Sequence, residues 1–117
     1  MRLKSNIWVS AYLRRCSVEG AFAAVRRHGV DEAGAIFIKV DRLDGTAALY
    51  GPAPQSAFND DDERADRLFS AVIGGDAPVP EADVEARLTR EIKFDPDLWI
   101  VEVEDRAGRY FLDRLVS

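Results

Sequence analysis

The stretch Arg90–Leu112, R-E-I-K-F-D-P-D-L-W-I-V-E-V-E-D-R-A-G-R-Y-F-L, limits the fold more than any other. Asp95-Pro96-Asp97 stands between a helical pattern and a strand pattern. Proline fixes its own φ and pushes the residue before it toward extended geometry, so a helix has to end here. Upstream, Val84, Leu88 and Ile92 recur at i, i+4 and i+8, one face of a helix over residues 80–93. Pro80 suits its first turn, and Glu81 and Asp83 suit its positive end. Downstream, residues 98–104 alternate: Trp99, Val101 and Val103 on one side, Leu98, Ile100, Glu102 and Glu104 on the other. A sequential helix and strand pack on each other, so Trp99, Pro96 and the turn are expected to anchor the fold, with the Trp99 face against the helix of Val84 and Leu88. Arg106-Ala107-Gly108 reads as a turn, and Arg109–Leu112 as a returning edge strand.

The second firm signal is Asp44-Gly45. It follows the alternating run Ile36, Ile38, Val40 and precedes Thr46–Tyr50. A type I′ hairpin with these two residues as its anchor is expected, because both central positions of that turn need positive φ. The N-terminal third is less decided. Ile7, Val9, Ala11 and Leu13 alternate with Trp8, Ser10, Tyr12 and Arg14, which reads as a strand, although Val9, Leu13 and Cys16 also share a helical stripe. Val18, Ala21, Phe22 and Val25 then read as a helix over residues 17–28, stopped by Gly29. Gly51-Pro52-Ala53-Pro54 ends a sheet segment, and residues 55–63 read as an acidic, solvated loop. Residues 65–73 fit a helix or a strand equally.

These elements assemble as an α+β two-layer sandwich, a mostly antiparallel sheet with two or three helices, in one domain over residues 1–117. No apolar run is long enough to span a bilayer, and the N-terminus lacks the apolar region of a signal peptide. A single cysteine, Cys16, allows no internal disulfide and points to a reducing, cytoplasmic setting. The net charge of −5 makes nucleic acid an unfavourable partner. Residues 1–30 nevertheless hold six basic side chains against Glu19 alone.

The runs I-W-V-S-A-Y-L-R-R-C, A-G-A-I-F-I-K-V-D-R-L-D-G-T and R-E-I-K-F-D-P-D-L-W-I-V-E-V-E-D-R together resemble a small bacterial family, domain of unknown function family 1491, along the whole chain. The resemblance implies a short stand-alone bacterial protein. It carries over no catalytic residue.

Two candidate sites follow from the residues themselves. Asp95 and Asp97 at the turn, with Glu102 and Glu104 along the strand, offer oxygen ligands suited to Mg²⁺ or Mn²⁺. This is the basis for a small metal-dependent hydrolase or nuclease, but the lysine that completes the nuclease motif is missing, and a solvent-facing strand explains the same residues. Trp8, Tyr12, Arg14 and Arg15 form a mixed aromatic and basic surface suited to a protein partner. Cys16 and His28 sit at opposite ends of the expected helix, roughly 17 Å apart, and cannot form a catalytic pair. No phosphate loop or serine-hydrolase motif occurs. The favoured expectation is a cytosolic, non-enzymatic binding or interaction module without a cofactor, engaging a protein partner or a second copy of itself.

Overall fold

The computed structural model describes residues 3–54, 67–113 and 115–116. The acidic loop at 55–63 falls outside them. In chain order the elements are α1 (Ser5–Val18), β1 (Phe22–Arg27), β2 (Ile36–Asp41), β3 (Thr46–Pro52), β4 (Phe69–Ile73), β5 (Val79–Pro80), α2 (Glu81–Phe94) and β6 (Trp99–Glu104). The sheet runs β1-β6-β2-β3-β4, with the short β5 paired to β3. Of the strand pairs among the described residues, only β2–β6 is parallel. The class is α+β, with an open, mostly antiparallel sheet.

The helices are divided between the two faces of this sheet. On one face Val9, Tyr12 and Cys16 of α1 pack on Ile36, Ile38, Val40, Tyr50, Trp99, Val101 and Val103. On the other, Val84 and Leu88 of α2 pack on Phe37, Leu49, Leu98 and Ile100. This corrects the expected partner of Trp99: its face meets α1, and Leu98 and Ile100 meet α2. The reason lies in the strand itself. β6 is an interior strand with apolar residues on both faces, so alternation alone could not say which face belongs to which helix.

The first two elements are exchanged relative to the sequence reading. Residues 5–18 are helical, and 22–27 are a strand. In α1 the buried side chains are Ser5, Val9, Tyr12 and Cys16, whereas Ile7 and Ala11, half of the apparent strand alternation, are exposed. The stop signal was Gly20 rather than Gly29. Gly20 has φ 82°, and no side chain would crowd a Cβ there, so backbone conformation alone requires glycine. Gly20 N donates to Ser17 O at 3.0 Å and Ala21 N to Cys16 O at 2.9 Å, closing the helix in a Schellman motif. Residues 69–73 resolve as strand β4. The expected edge strand at 109–112 is irregular instead, with Phe111 at φ 57°. A single parallel bridge, Phe69–Leu115, forms farther on.

The β2–β3 hairpin forms as expected, with Ile38 opposite Tyr50 and Lys39 opposite Leu49. Its turn is longer than type I′. The residues with positive φ are Leu43 and Gly45, and Asp44 acts through its side chain, accepting from Thr46 N at 2.9 Å. Gly45 O in turn accepts from Glu81 N at 2.9 Å, supplying one cap for α2.

β1 and β2 flank β6, so the loop at 28–35 has to cross the start of β6. Val30 N donates to Asp97 O at 2.9 Å, Trp99 Nε1 donates to Val30 O at 2.9 Å, and Trp99 N donates to Ala35 O at 2.7 Å. A Cβ on Gly34 would stand 2.5 Å from the Asp97 carbonyl oxygen and 2.9 Å from the Trp99 ring. The same loop serves α1: Ser5 N and Asn6 N donate to Glu32 O and Asp31 O, and Ser5 Oγ donates to Gly34 O. Trp99→Ala is expected to cost about 3–5 kcal/mol. Gly34→Ala is expected to cost about 1–3 kcal/mol by crowding the crossing. Urea unfolding measures both, and a wild-type midpoint for either variant would refute this account of the crossing.

Candidate functional site

The four carboxylates singled out from the sequence do not converge. Asp95 ends α2, and its Oδ1 accepts from Asp97 N at 3.0 Å. The Pro96 and Asp97 carbonyls serve Arg27 and Val30. Glu104 lies across from Phe22 of β1 and Asp41 of β2. Only Glu102 enters a cluster, and its neighbours were not foreseen. Among the described residues, carboxylate oxygens of Asp41, Glu81 and Glu102 lie within 4.8 Å of one another.

That cluster already holds cations. Lys39 is 2% exposed, in the middle of β2 on the α2 face. Its Nζ donates to Glu81 Oε2 at 2.6 Å and to Glu85 Oε2 at 2.5 Å, and lies 3.6 Å from Glu102 Oε1. Arg26 of β1 donates to Glu85 at 2.7 and 3.0 Å and to Glu102 at 3.0 Å. Burial opposes the charge of Lys39, but its hydrogen bonds to Glu81 and Glu85 and the nearby Glu102 outweigh it and raise its pKa. Glu85 is pulled down to about 2 by the hydrogen bond from Arg26, which overrides its partial burial, with Lys39 adding to the effect. The Lys39 ammonium already pairs with Glu81 and Glu102, two of the three carboxylates that a divalent ion would need, and Asp41 accepts from Leu43 N at 2.8 Å. The network ties α2 to β1, β2 and β6, a structural task.

The sequence did carry a signal for it. Glu81 and Glu85 are spaced i, i+4 on α2, and Lys39 is the one cation inside the apolar run Ile36–Val40.

The aromatic and basic residues fare differently. Because α1 is a helix, Trp8, Tyr12 and Arg15 share a face at i, i+4 and i+7, and Arg14 is exposed outside it. Trp8 stacks on Tyr12 with centroids 5.1 Å apart and planes at 12°, and meets the ring of Phe69 of β4 at 5.1 Å, tilted by 35°. The Tyr12 hydroxyl donates to Tyr110 O at 2.6 Å, fixing the C-terminal segment beside the helix. Burial raises the pKa values of both Tyr12 and Cys16, so Cys16 is held as an inert thiol within the core. Trp8, Tyr12, Phe69, Phe111, Arg15 and Arg67 help to line a groove of about 330 Å³. Asp113 reaches Arg15 at 2.5 Å on its rim.

An open, mostly antiparallel sheet thus carries a helix on each face, with an aromatic groove edged by arginine beside α1. The chain belongs to the family described as "Protein of unknown function (DUF1491)", whose model matches residues 3–113. It is similar to the crystal structure of a DUF1491 family protein from Caulobacter crescentus CB15, at 39% identity and TM-score 0.78, covering all of both chains. An NMR structure of a DUF1491 family protein from the same organism gives 39% identity and TM-score 0.77, covering 100% of this chain and 99% of that one. The solution structure of protein Atu0922 from A. tumefaciens is 48% identical with TM-score 0.74, over 89% of this chain and 86% of that one. No curated protein gives a significant match. Among the described residues, no helix is long and apolar enough to cross a membrane.

The ionic network makes a signed prediction. Glu85 titrates near 4.5 when unfolded and at about 2 when folded, so its contribution is complete above pH 4.5 and is lost as pH falls toward 2. Lys39→Met leaves Glu81, Glu85 and Glu102 without their buried cation. At pH 7 this should cost about 2–3 kcal/mol, below the usual range for a broken buried pair because water screens the half-exposed glutamates. The gap to wild type should narrow as pH is lowered from 7 to 3, since protonated carboxyls no longer need the ammonium. Chemical unfolding across that range checks it, and a gap that widens in acid would show that the network is misread.

Proposed function

We propose that this protein is a small cytosolic, non-enzymatic binding module of bacteria. Its contact surface is the groove of Trp8, Tyr12, Arg15 and Phe69. The ligand class is a peptide segment of a partner protein that carries an aromatic or large aliphatic anchor beside carboxylates. The observation that supports this most is the pairing of a stacked ring floor with an arginine that a carboxylate already reaches: Asp113 on Arg15. Aromatic anchors and arginine are the residues that dominate protein-recognition surfaces. A partner carboxylate would replace Asp113 on the guanidinium while an apolar side chain covers the rings.

A second reading, a metal-dependent hydrolase or nuclease using Mg²⁺ or Mn²⁺, has the convergence of Asp41, Glu81 and Glu102 in its favour. It is the weaker one, since Lys39 competes for Glu81 and Glu102. Thermal shift with Mg²⁺ and Mn²⁺ separates the readings. Stabilisation that vanishes in Asp41→Asn would favour the metal site, and the binding module predicts none.

The direct test of the groove is selection from a random-peptide display library. Enriched peptides should carry an aromatic or large aliphatic residue close to Asp or Glu, and Arg15→Glu, a change at an exposed site, should weaken their binding at least about tenfold. An absence of enrichment, or binding indifferent to Arg15→Glu, would overturn the proposal.

A further inference from the structure

β1 is an outer strand of the sheet, and its far edge has no strand against it among the described residues. An open edge is a template for pairing with another chain, and proteins usually block it with charges, prolines or bulges. Here the protection is confined to one end. The register shift lies between Val25 and Arg27, and Arg26 and Arg27 sit beside it. The preceding Phe22-Ala23-Ala24-Val25 has no charge, proline or bulge. Phe22 is 64% exposed, and Val18, where α1 leads into the strand, is 79% exposed.

The two ends of this edge are complementary in shape and in charge. At the end where β1 finishes, a groove of about 490 Å³ between α1 and the sheet is lined by Ile7, Ser10, Leu13, Val25, His28 and Trp99, among others. At the end where β1 begins, Val18 projects from the helix terminus. The finishing end also carries the half-buried Arg27, whose Nη2 donates to the Pro96 carbonyl and whose charge is met by no carboxylate among the described residues. The beginning end carries the exposed Glu19, with Glu104 across from Phe22. A two-fold axis through the middle of an antiparallel β1–β1 pair exchanges the two ends. It would bring the Val18 of each copy toward the groove of the other, and Glu19 toward Arg27. A surface that complements itself under a two-fold rotation is what a symmetric dimer needs.

We propose that the occupant of the β1 edge is a second copy of this chain, joined antiparallel through Phe22–Val25 so that the sheet runs on across the dimer. The surface is separate from the aromatic groove, which is lined from the β4 side of the sheet. The two proposals therefore stand or fall independently.

Sedimentation velocity over low to high micromolar concentrations tests it, with amide hydrogen exchange as the second readout. The wild type should dimerise in a concentration-dependent way, with exchange of the Phe22–Val25 amides slowing as dimer forms. Val18→Asp and Glu19→Arg, both changes at exposed positions, should each weaken dimerisation at least about tenfold while the monomer stays folded, as read by its circular dichroism spectrum. Phe94→Asp, 90% exposed at the end of α2, should leave it unchanged. A monomer at every concentration would overturn the proposal. So would a dimer indifferent to Val18→Asp, or one that Phe94→Asp dissociates.

Discussion

The crossing of the 28–35 loop over the start of β6 is the constraint on which the rest of the structure depends. β1 and β2 are consecutive in sequence, yet β6 lies between them, so their connection has to pass over the end of the last strand. Trp99 makes that passage specific. Its backbone N–H and its indole N–H donate to Ala35 and Val30, and its ring lies under the glycines at 29 and 34. From the same loop come the carbonyls that receive the first N–H groups of α1. One crossing thus sets the parallel β2–β6 register, the entry of α1 and the position of the α1 core face. Because β6 is the last strand of the sheet in sequence, these contacts are long-range and close late along the chain, the costly kind of contact in folding.

The two faces of the sheet then take different roles. The α2 face is sealed by a network in which one buried lysine and one arginine hold the carboxylates of Glu81, Glu85 and Glu102 in place. Such a network gives α2 a defined seat more than it gives net stability, since desolvation offsets much of the attraction. Among the described residues, the α1 face has no comparable ionic seal. Its rings continue outward from the core through Trp8 and Phe69 into the groove, so the same stack that packs the helix also presents a surface. That difference favours binding on the α1 side over chemistry on the α2 side.

The parts of the fold that could be read from sequence were those with two agreeing signals. Over residues 80–104, periodicity, an acidic first turn and a proline turn all point the same way, and helix, turn and strand are where they were expected. The β2–β3 hairpin follows from alternation plus Asp44-Gly45, although the turn itself needed Leu43 at positive φ, which no residue preference would suggest. The N-terminal third failed because residues 7–13 satisfy both periods, and the choice fell to the core that Tyr12 and Cys16 had to join. Gly20 was the local clue, and it was outweighed by an apolar stripe that spans it. The mistaken helix–strand assignment also moved the candidate surface: Trp8, Tyr12 and Arg15 share a face only on a helix, where Arg14 turns away. The Lys39 network needed tertiary contact between residues more than 40 positions apart, which spacing within one element cannot show.

Native-state hydrogen exchange tests the central role of the crossing most directly. The Trp99 indole N–H and the Val30 amide should exchange only through global unfolding, with the same opening free energy as the most protected amides of β6. Exchange of these two protons at a rate typical of a surface loop, with β6 still fully protected, would contradict the account. The crossing would then be a covering of the sheet and not the clamp that orders it.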